Sequence, residues 1–237
     1  MRDKKHIVFD LDGTLTESRM LINDEMTEAL ADLEKLYDVV IISGAQKLQM
    51  IKQIPWLKLS SFTIMGQSGN DTTKEGQVLF RHILGFEEIN VVLSHLADIH
   101  KEYKLGEGVE IDTLEARGGQ ISWSKVGHNT DRGVKVDYDP KGDKRREMLK
   151  KVPFNSERMM VRIGGTTTLD YTKVGWGKKG NLEKLFKLNG WKFEDAIYVG
   201  DQLYEGGNDE DVIEIMDTVS VENPDEALEY INQELNC

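Results

Sequence analysis

The sequence contains very little cysteine: among 237 residues there is one, Cys237, at the last position. A disulfide within the chain is therefore excluded, and a reducing setting fits best. No apolar run approaches the ~20 residues that a membrane-spanning helix needs. The first residues, Met1 to His6, lead directly into a strand-like run and leave no room for a signal peptide. These absences predict a cytoplasmic protein.

Positive charge is also scarce. The chain carries 30 lysines and arginines against 42 acidic residues, which gives a formal net charge of -12. Nucleic acid and anionic membranes both bind basic surfaces, so neither is predicted as a partner. A phosphorylated substrate would be repelled by the overall field. Its site would then need a metal ion and clustered arginines or lysines.

The first quarter of the chain alternates between strand and helix patterns. Residues 7–9 form a short apolar run, and residues 24–37 carry apolar side chains at helical spacing. Residues 39–42 are apolar at every position, which is typical of a strand buried on both faces of a parallel sheet. Residues 48–54 have the pattern of a second helix. This alternation predicts βαβ units.

The pattern changes near residue 65. Residues 109–138 are strand-like, residues 141–151 have the pattern of a charged helix, and residues 159–163 and 166–170 resemble paired strands. Strands and helices grouped in this way indicate an inserted α+β unit.

Alternation returns with a helix at 181–189 and a strand at 196–199. We therefore predict an α/β fold with a Rossmann-like parallel-sheet core, formed by residues 1–79 and 174–237. Residues 80–173 are predicted to form an inserted α+β cap domain that sets substrate specificity.

Three predicted strands end in short polar signatures. Asp10 and Asp12 follow the first strand, Ser43 follows the second, and Gly200-Asp201 ends a strand near the end of the chain. In an open α/β sheet, ligands bind beyond the carboxyl ends of the strands. Each signature alone is common in turns. Three of them at the ends of buried strands predict one phosphoryl-transfer site.

The residue types at these strand ends suit the tasks of phosphoryl transfer. Asp10 can be the nucleophile, because carboxylates form aspartyl phosphates. Asp12 can act as general acid and base to the leaving or attacking oxygen. The amides of the Gly13-Thr14 turn can donate to phosphoryl oxygens, and Ser43 can donate to another oxygen.

Cations are needed at the same site. Lys178 or Lys179, which follow the predicted cap, could balance the developing negative charge. Mg²⁺ prefers a few carboxylates together with water and phosphate oxygens, so Asp10, Asp12 and Asp201 are its predicted ligands.

Two other sets of residues are predicted to be structural. The acidic run Asp209-Glu210-Asp211 is expected to start a helix, where acidic residues suit the positive end, rather than to bind a metal. His6, His82, His95 and His100 show no ligand spacing and are expected to be structural or exposed to solvent.

The signatures resemble the four motifs of the haloacid dehalogenase-like superfamily. The matching segments are Asp10-Leu11-Asp12-Gly13-Thr14-Leu15-Thr16, Ser43, the Lys178 region, and Gly200-Asp201 with Gly206-Gly207-Asn208-Asp209. The last motif and the position of the insertion are similar to the branch with a large α/β cap. Within that branch, nearly the whole chain resembles the eukaryotic-type phosphomannomutases.

This resemblance implies an activity. Mannose 1-phosphate and mannose 6-phosphate would be interconverted through a phospho-aspartate on Asp10, with Mg²⁺ as cofactor and a hexose bisphosphate as intermediate. Lys178, in Gly175-Trp176-Gly177-Lys178, matches the lysine of the family pattern. The cap often mediates a dimer in this family, so a homodimer through the cap is an expectation of the resemblance.

The resemblance also implies substrate-binding residues. Arg19 follows the first motif, Arg117 lies in Glu115-Ala116-Arg117-Gly118-Gly119, and Arg132 precedes Asp139-Pro140-Lys141. The two cap arginines would bind the second phosphate of the sugar through their guanidinium forks. Thr168 and Asp170 would contact sugar hydroxyls.

Two positions depart from the family pattern. His128 stands where the family has an arginine, and Thr168 stands where it has a serine. His128 is predicted either to contact the substrate, where Lys125 could assist, or to lie in a surface loop. Loss of an arginine weakens the case for binding two phosphates. A sugar-phosphate phosphatase is therefore the alternative, and a catalytically silent binding module is a weaker one.

Overall fold

The chain alternates strands and helices, interrupted near its middle by a second group of strands. The structure, a computed structural model, describes residues 4–104 and 112–236, so Cys237 and the first three residues lie outside the described part. The strands are β1 His6–Asp10, β2 Asp38–Ile42, β3 Thr63–Gly66, β4 Asp71–Lys74, β5 Gln77–Arg81, β6 Leu114–Ala116, β7 Gln120–Ser124, β8 Met159–Gly164, β9 Thr168–Lys173, β10 Ala196–Gly200 and β11 Asp217–Ser220. The helices are α1 Asp24–Leu33, α2 Lys47–Gln53, α3 Phe86–Glu102, α4 Arg132–Tyr138, α5 Asp143–Lys151, α6 Lys178–Asn189 and α7 Pro224–Leu235. Across the described ranges, no helix is both long enough and apolar enough to cross a membrane.

Two compact units divide the chain. The core unit consists of Met1–Arg81 and Trp176–Cys237, and the insert unit consists of His82–Gly175. The boundaries predicted from the sequence, 79/80 and 173/174, each lie two residues before those of the structure. The assignment of catalysis to one unit and specificity to the other stays a prediction.

A seven-stranded sheet forms the centre of the core unit, in the order β11-β10-β1-β2-β3-β4-β5. The first five strands of that order are parallel, and β4 and β5 are added as antiparallel strands at one edge. Ile7 and Phe9 of β1 pack in one apolar cluster with α1 and α7, whereas Val8 packs in the other with α6. Burial of both faces explains the continuously apolar strands, and the predicted α/β class is confirmed.

The insert unit contains a separate antiparallel sheet in the order β6-β7-β9-β8. Its apolar side chains include Trp123 and Tyr171, which contact the rings of His100 and His95 on α3. The Nε2 of His95 donates to the carbonyl of Val152 at 2.9 Å, so its Nδ1 accepts from the Tyr171 hydroxyl at 2.9 Å. The structural role predicted for His95 is therefore confirmed.

The end of the strand-like stretch 109–138 was predicted wrongly, because Arg132–Tyr138 is helical. Asp131 caps this helix, and its side chain accepts a hydrogen bond from the amide of Gly133 at 2.8 Å. Val134 and Val136 gave the alternating pattern, but both are exposed, at 53% and 42%. The Asp131 cap favours a helix at this position. The alternating valines do not stabilise a strand, because neither of them is buried in a core. Residues 109–111 of the stretch lie outside the described residues.

Candidate active site

The three polar signatures meet at one edge of the core sheet. In the parallel register, Asp10 at the end of β1 pairs with Ile42 at the end of β2, immediately before Ser43. On the other side of β1, Phe9 pairs with Val199, one residue before Gly200 at the end of β10. The predicted convergence of these strand ends follows from this register.

Lys178 is the cation of the site. It is the first residue of α6 and is buried at 2% exposure. Its Nζ donates to Oδ1 of Asp10 at 2.5 Å and to Oδ1 of Asp209 at 2.5 Å. The neighbouring Lys179 instead forms an ion pair with Glu214 at the surface. The sequence spacing did not show which of the two lysines lies beside Asp10. In the structure this lysine is Lys178.

Asp209 is a site residue that the sequence reasoning missed. The acidic run does begin a short 3₁₀ helix, Glu210–Glu214, with Asp209 at its N-cap, but the Asp209 side chain is fully buried. The hydroxyl of Tyr198 donates to Asp209 Oδ1 at 2.6 Å. The start of a helix was predicted correctly, whereas the inward-facing Asp209 carboxylate, which groups with those of Asp10 and Asp201, was not anticipated. The signal that could have identified Asp209 was the resemblance of Gly206-Gly207-Asn208-Asp209 to the last motif of the superfamily.

Asp201 lies against the turn that follows β1. Gly13 in that turn has a φ of +96°, and a Cβ placed there would lie 2.5 Å from Oδ2 of Asp201. Glycine is therefore required both by the backbone conformation and by the approach of the carboxylate. The other oxygen, Asp201 Oδ1, is buried and has no hydrogen-bond partner within the described ranges.

The buried carboxylates carry more negative charge than the lysine can balance. Ligand oxygens of Asp10, Asp201 and Asp209 all lie within 4.8 Å of one another. Burial raises the pKa of Asp10 well above its ordinary value, although the charge of Lys178 opposes the shift. Burial, followed by the charge of Asp209, raises the pKa of Asp201 to about 6.

A divalent cation would relieve this imbalance. Three clustered carboxylates, one of them with an orphaned buried oxygen, are a donor set that fits Mg²⁺. This group differs from the predicted ligands Asp10, Asp12 and Asp201, because it contains Asp209 and does not contain Asp12.

The Asp12 carboxylate is held by three donors of its own. Ser43 Oγ donates to Asp12 Oδ2 at 3.2 Å. Gln53 Nε2 and the backbone amide of Arg19 donate to Asp12 Oδ1 at 3.0 and 2.9 Å. The structure thus brings Ser43 and the Arg19 backbone to Asp12. Gln53, on α2, is a buried contact that no motif in the sequence marked.

The turn after β1 offers fewer amides than predicted. The Gly13 amide donates to the Thr16 carbonyl at 2.7 Å, and the Thr14 amide donates to the Leu11 carbonyl at 3.3 Å. Both amides therefore bond within the turn. The Thr14 hydroxyl, in contrast, is buried and has no partner in the described part of the chain.

Arg117 and His128 share one acidic neighbour in the insert unit. Nε and Nη2 of Arg117 donate to Oε2 of Glu115 at 2.8 and 2.6 Å. His128 Nδ1 lies 3.8 Å from Glu115 Oε1, and its Nε2 donates to the carbonyl of Ser122 at 3.1 Å. His128 is buried, at 1% exposure, so the surface-loop alternative is wrong.

Thr168 and Asp170 lie on β9 of the insert sheet. Ser122 Oγ donates to Asp170 Oδ1 at 2.5 Å, and Thr168 Oγ1 donates to the Gly164 carbonyl at 2.7 Å. Arg132 is the first residue of α4, and its side chain lies outside the described part of the structure.

Arg145 was not predicted from the sequence. It is buried, donates to Asp139 Oδ2 at 2.8 Å and also donates to the carbonyl of Gly164 at 2.7 Å. This arginine therefore anchors the turn that precedes Thr168.

The fold has counterparts of known structure. A protein from Streptococcus mutans UA159 superposes with a TM-score of 0.72 at 18% identity, covering 99% of this chain and 100% of that one. The ATP-bound IMP-nucleotidase of Plasmodium falciparum also gives a TM-score of 0.72, at 17% identity, covering 98% of this chain and 60% of that one. Both matches show that this chain shares its fold with these two proteins.

Sequence comparison identifies the family. The sequence model of the eukaryotic phosphomannomutase family matches residues 26–237. The chain is 28% identical over 240 residues to the phosphomannomutase of Dendrobium officinale, covering 94% of this chain and 91% of that protein. It is 29% identical over 251 residues to the phosphomannomutase of Encephalitozoon cuniculi, covering 99% and 95%. The chain belongs to the eukaryotic phosphomannomutase family.

Proposed function

We propose that this protein interconverts mannose 1-phosphate and mannose 6-phosphate through a phospho-aspartate on Asp10, with Mg²⁺ as its cofactor. The observation that carries the proposal is the buried pairing of Asp10 with Lys178, beside two more carboxylates at the end of β1. The relatives named phosphomannomutase match nearly the full length of the chain, which supports the same substrates here.

Asp10 and Asp12 have complementary roles in the proposed reaction. An oxygen of Asp10 attacks the phosphorus of a hexose bisphosphate, and the bond from phosphorus to the sugar oxygen breaks. Asp12 donates a proton to that leaving oxygen. In the reverse transfer, Asp12 removes the proton from a hydroxyl of the hexose monophosphate, which then attacks the phospho-aspartate. Ser43 and Gln53 hold Asp12 in position for both steps.

Lys178 supplies fixed positive charge beside Asp10. Its ammonium group stays charged in the buried site, because the charges of Asp10 and Asp209 outweigh desolvation and raise its pKa. The group would therefore offset the charge that develops on the transferred phosphoryl oxygens. Mg²⁺ held by Asp10, Asp201 and Asp209 would add Lewis-acid polarisation of the phosphoryl group. The sequence analysis predicted Asp12, and not Asp209, as the third ligand of Mg²⁺; that assignment stays a prediction.

The insert unit is proposed to recognise the rest of the substrate. Arg117 and Arg132 would bind the second phosphate of the bisphosphate, with His128 at the position of the family arginine. Thr168 and Asp170 would contact sugar hydroxyls, and Arg19 would bind the substrate from the core unit. A homodimer through the insert unit and a cytoplasmic location stay predictions of the sequence.

Product analysis separates the mutase from the phosphatase. The enzyme is incubated with mannose 1-phosphate, Mg²⁺ and a catalytic amount of a hexose bisphosphate, and products are followed by ³¹P NMR. The proposal predicts mannose 6-phosphate with little free phosphate. Release of free phosphate without mannose 6-phosphate would favour the phosphatase, and no turnover of any hexose phosphate would favour the silent binding module.

A further inference from the structure

The turn that follows β3 is strained at two residues that are not glycine. Gln67 and Ser68 have φ values of +55° and +57°, and the next residue, Gly69, has a φ of +92°. The left-handed region is unfavourable for residues that carry a side chain. Strain of this kind is concentrated at functional sites, where the surrounding structure maintains it. The turn is therefore a candidate for a role in the reaction.

Hydrogen bonds hold the strained turn against the Ser43 loop. The amide of Gln67 donates to the carbonyl of Ala45 at 2.7 Å, and the amide of Ser68 donates to the carbonyl of Ser43 at 2.8 Å. From helix α6, the buried side chain of Asn181 donates through Nδ2 to the Ser68 carbonyl at 2.8 Å. The backbone of Ser68 is thus fixed at both its amide and its carbonyl.

The side chain of Ser68 lies beside Gly44, the residue that follows Ser43. A Cβ placed at Gly44 would lie 4.0 Å from Ser68 Oγ, and no other atom of the described chain, apart from the adjoining residues, lies within 4 Å of that position. Ser68 is partly exposed, and its Oγ has no hydrogen-bond partner within the described ranges. The hydroxyl therefore borders open space with its proton unused.

Other donors that were predicted for the phosphoryl group are bonded within the protein. A serine hydroxyl has one proton to donate, and that of Ser43 is donated to Asp12 at 3.2 Å. The amides of Gly13 and Thr14 bond within their own turn. The Thr14 hydroxyl has no partner in the described part of the chain, but it is buried. Ser68, in contrast, offers a hydroxyl that is both unpaired and on a partly exposed residue.

We infer that the Ser68 hydroxyl donates a hydrogen bond to an oxygen of the phosphoryl group that is transferred. Asp12, the proposed general acid, must reach the sugar oxygen bonded to that phosphorus, and Ser43 holds Asp12. The phosphoryl group then lies against the Ser43-Gly44 loop, beside the Ser68 side chain. This inference rests on the proposed function and deepens it by adding a substrate-binding residue outside the motifs.

Removal of the hydroxyl should weaken phosphoryl transfer from every substrate. Ser68→Ala keeps a strained residue at this position, so its melting temperature should stay parental. Its kcat/KM should fall roughly 10- to 100-fold, because a hydrogen bond to a charged oxygen is lost. The loss should be equal for mannose 1-phosphate and for a small aryl phosphate, since both carry the phosphoryl group. A loss confined to mannose 1-phosphate would overturn the inference and indicate a contact with the sugar.

Glycine at this position separates the hydroxyl from the backbone strain. Ser68→Gly should melt about 2–4 °C above the parent, because glycine adopts a positive φ without strain. It should nevertheless lose as much turnover as Ser68→Ala. Glu75→Gly is the matched control, because Glu75 has a φ of +50° and lies exposed in the turn between β4 and β5. This control should melt higher by a similar amount and keep parental turnover.

A different donor at the same position tests the hydrogen bond itself. Asparagine tolerates the left-handed region and carries an amide donor, so Ser68→Asn should regain part of the turnover that Ser68→Ala loses. Turnover no higher than that of Ser68→Ala would count against a donor role. Parental turnover in both Ser68→Ala and Ser68→Gly would overturn the inference.

The two substrates separate this inference from the proposed function. If the parent forms no mannose 6-phosphate but cleaves the aryl phosphate, the mutase reaction is contradicted, and the aryl phosphate still tests Ser68. Turnover of neither substrate by the parent would contradict the proposed function, and this inference with it.

Discussion

Three buried carboxylates face one ammonium group at the end of β1. Lys178 neutralises one unit of charge, whereas Asp10, Asp201 and Asp209 together bring three when ionised. In a buried site this imbalance costs free energy, because little solvent is available to screen it.

Lys178 should be a major determinant of stability. Lys178→Met leaves buried carboxylates without their cation, so we expect a loss of about 3–5 kcal/mol in the free energy of unfolding, measured with urea in the absence of metal. Lys179→Met is the matched control, because the side chain of the neighbouring lysine is only partly buried and pairs with Glu214 at the surface, and this variant should unfold at nearly the parental urea concentration. Equal unfolding midpoints for the parent and the Lys178 variant would show that the ion pairs contribute nothing.

Asp209 and Asp12 should differ in their effect on metal binding. Asp209→Asn removes a carboxylate from the acidic group, so we expect Mg²⁺ affinity to fall by roughly 10- to 100-fold in a calorimetric titration. Asp12→Asn changes a carboxylate that Ser43 and Gln53 already hold, so Mg²⁺ affinity should stay close to the parental value. The reverse order of losses would restore the ligand set predicted from sequence.

Asp201 should make metal-free stability depend on pH. Its pKa in the native protein is about 6, against an ordinary value of 3.8, so the native state holds the proton more tightly than the unfolded chain does. The resulting stabilisation is complete below about pH 4 and is lost as the pH rises through about 6, a change of about 3 kcal/mol. Urea unfolding of the parent and of Asp201→Asn from pH 4 to 7 measures it. If both lose stability with the same slope, Asp201 does not cause the dependence.

At the scale of elements, the turn that follows β1 and contains Gly13 has a testable requirement for glycine. In Gly13→Ala, the added methyl group would sit on a backbone with positive φ and would clash with the Asp201 carboxylate. The substitution should therefore lower stability and displace Asp201, a proposed metal ligand. Gly76→Ala is the control, because Gly76 has a φ of +77° but no atom within 4 Å of its would-be Cβ. We expect the control to lose about 1–2 kcal/mol and to leave Mg²⁺ affinity unchanged. Equal losses in both would show that the Asp201 contact is unimportant.

Strongly patterned elements were predictable from the sequence. The continuously apolar strands β1, β2 and β10 and the helix that Gly190 ends were predicted because burial and capping leave local signals. β3 and β4 were not identified, since short strands between glycines resemble turns. The helix α4 was missed because its exposed valines imitated a strand.

At the scale of the whole molecule, the alternation of strands and helices predicted the fold class, and the resemblance of the motifs predicted the family. Asp10, Ser43 and Gly200-Asp201 lie at the ends of strands that the topology brings to one sheet edge, whereas Lys178 begins α6.

The inward position of Asp209, the contact of Gln53 with Asp12 and the contact of Asn181 with Ser68 could not be predicted. These properties depend on neighbours that are distant in sequence, and no local pattern encodes them.

The fate of the phosphoryl group on Asp10 tests the account most directly. The enzyme is labelled with a hexose bisphosphate, quenched in acid, and the modified peptide is located by mass spectrometry; a second sample is chased with mannose 1-phosphate before quenching. We predict one phosphoryl group on the peptide containing Asp10 and its transfer to the sugar as bisphosphate in the chase, with no label in Asp10→Asn. A label on another residue, or release of the phosphoryl group only to water, would contradict the account.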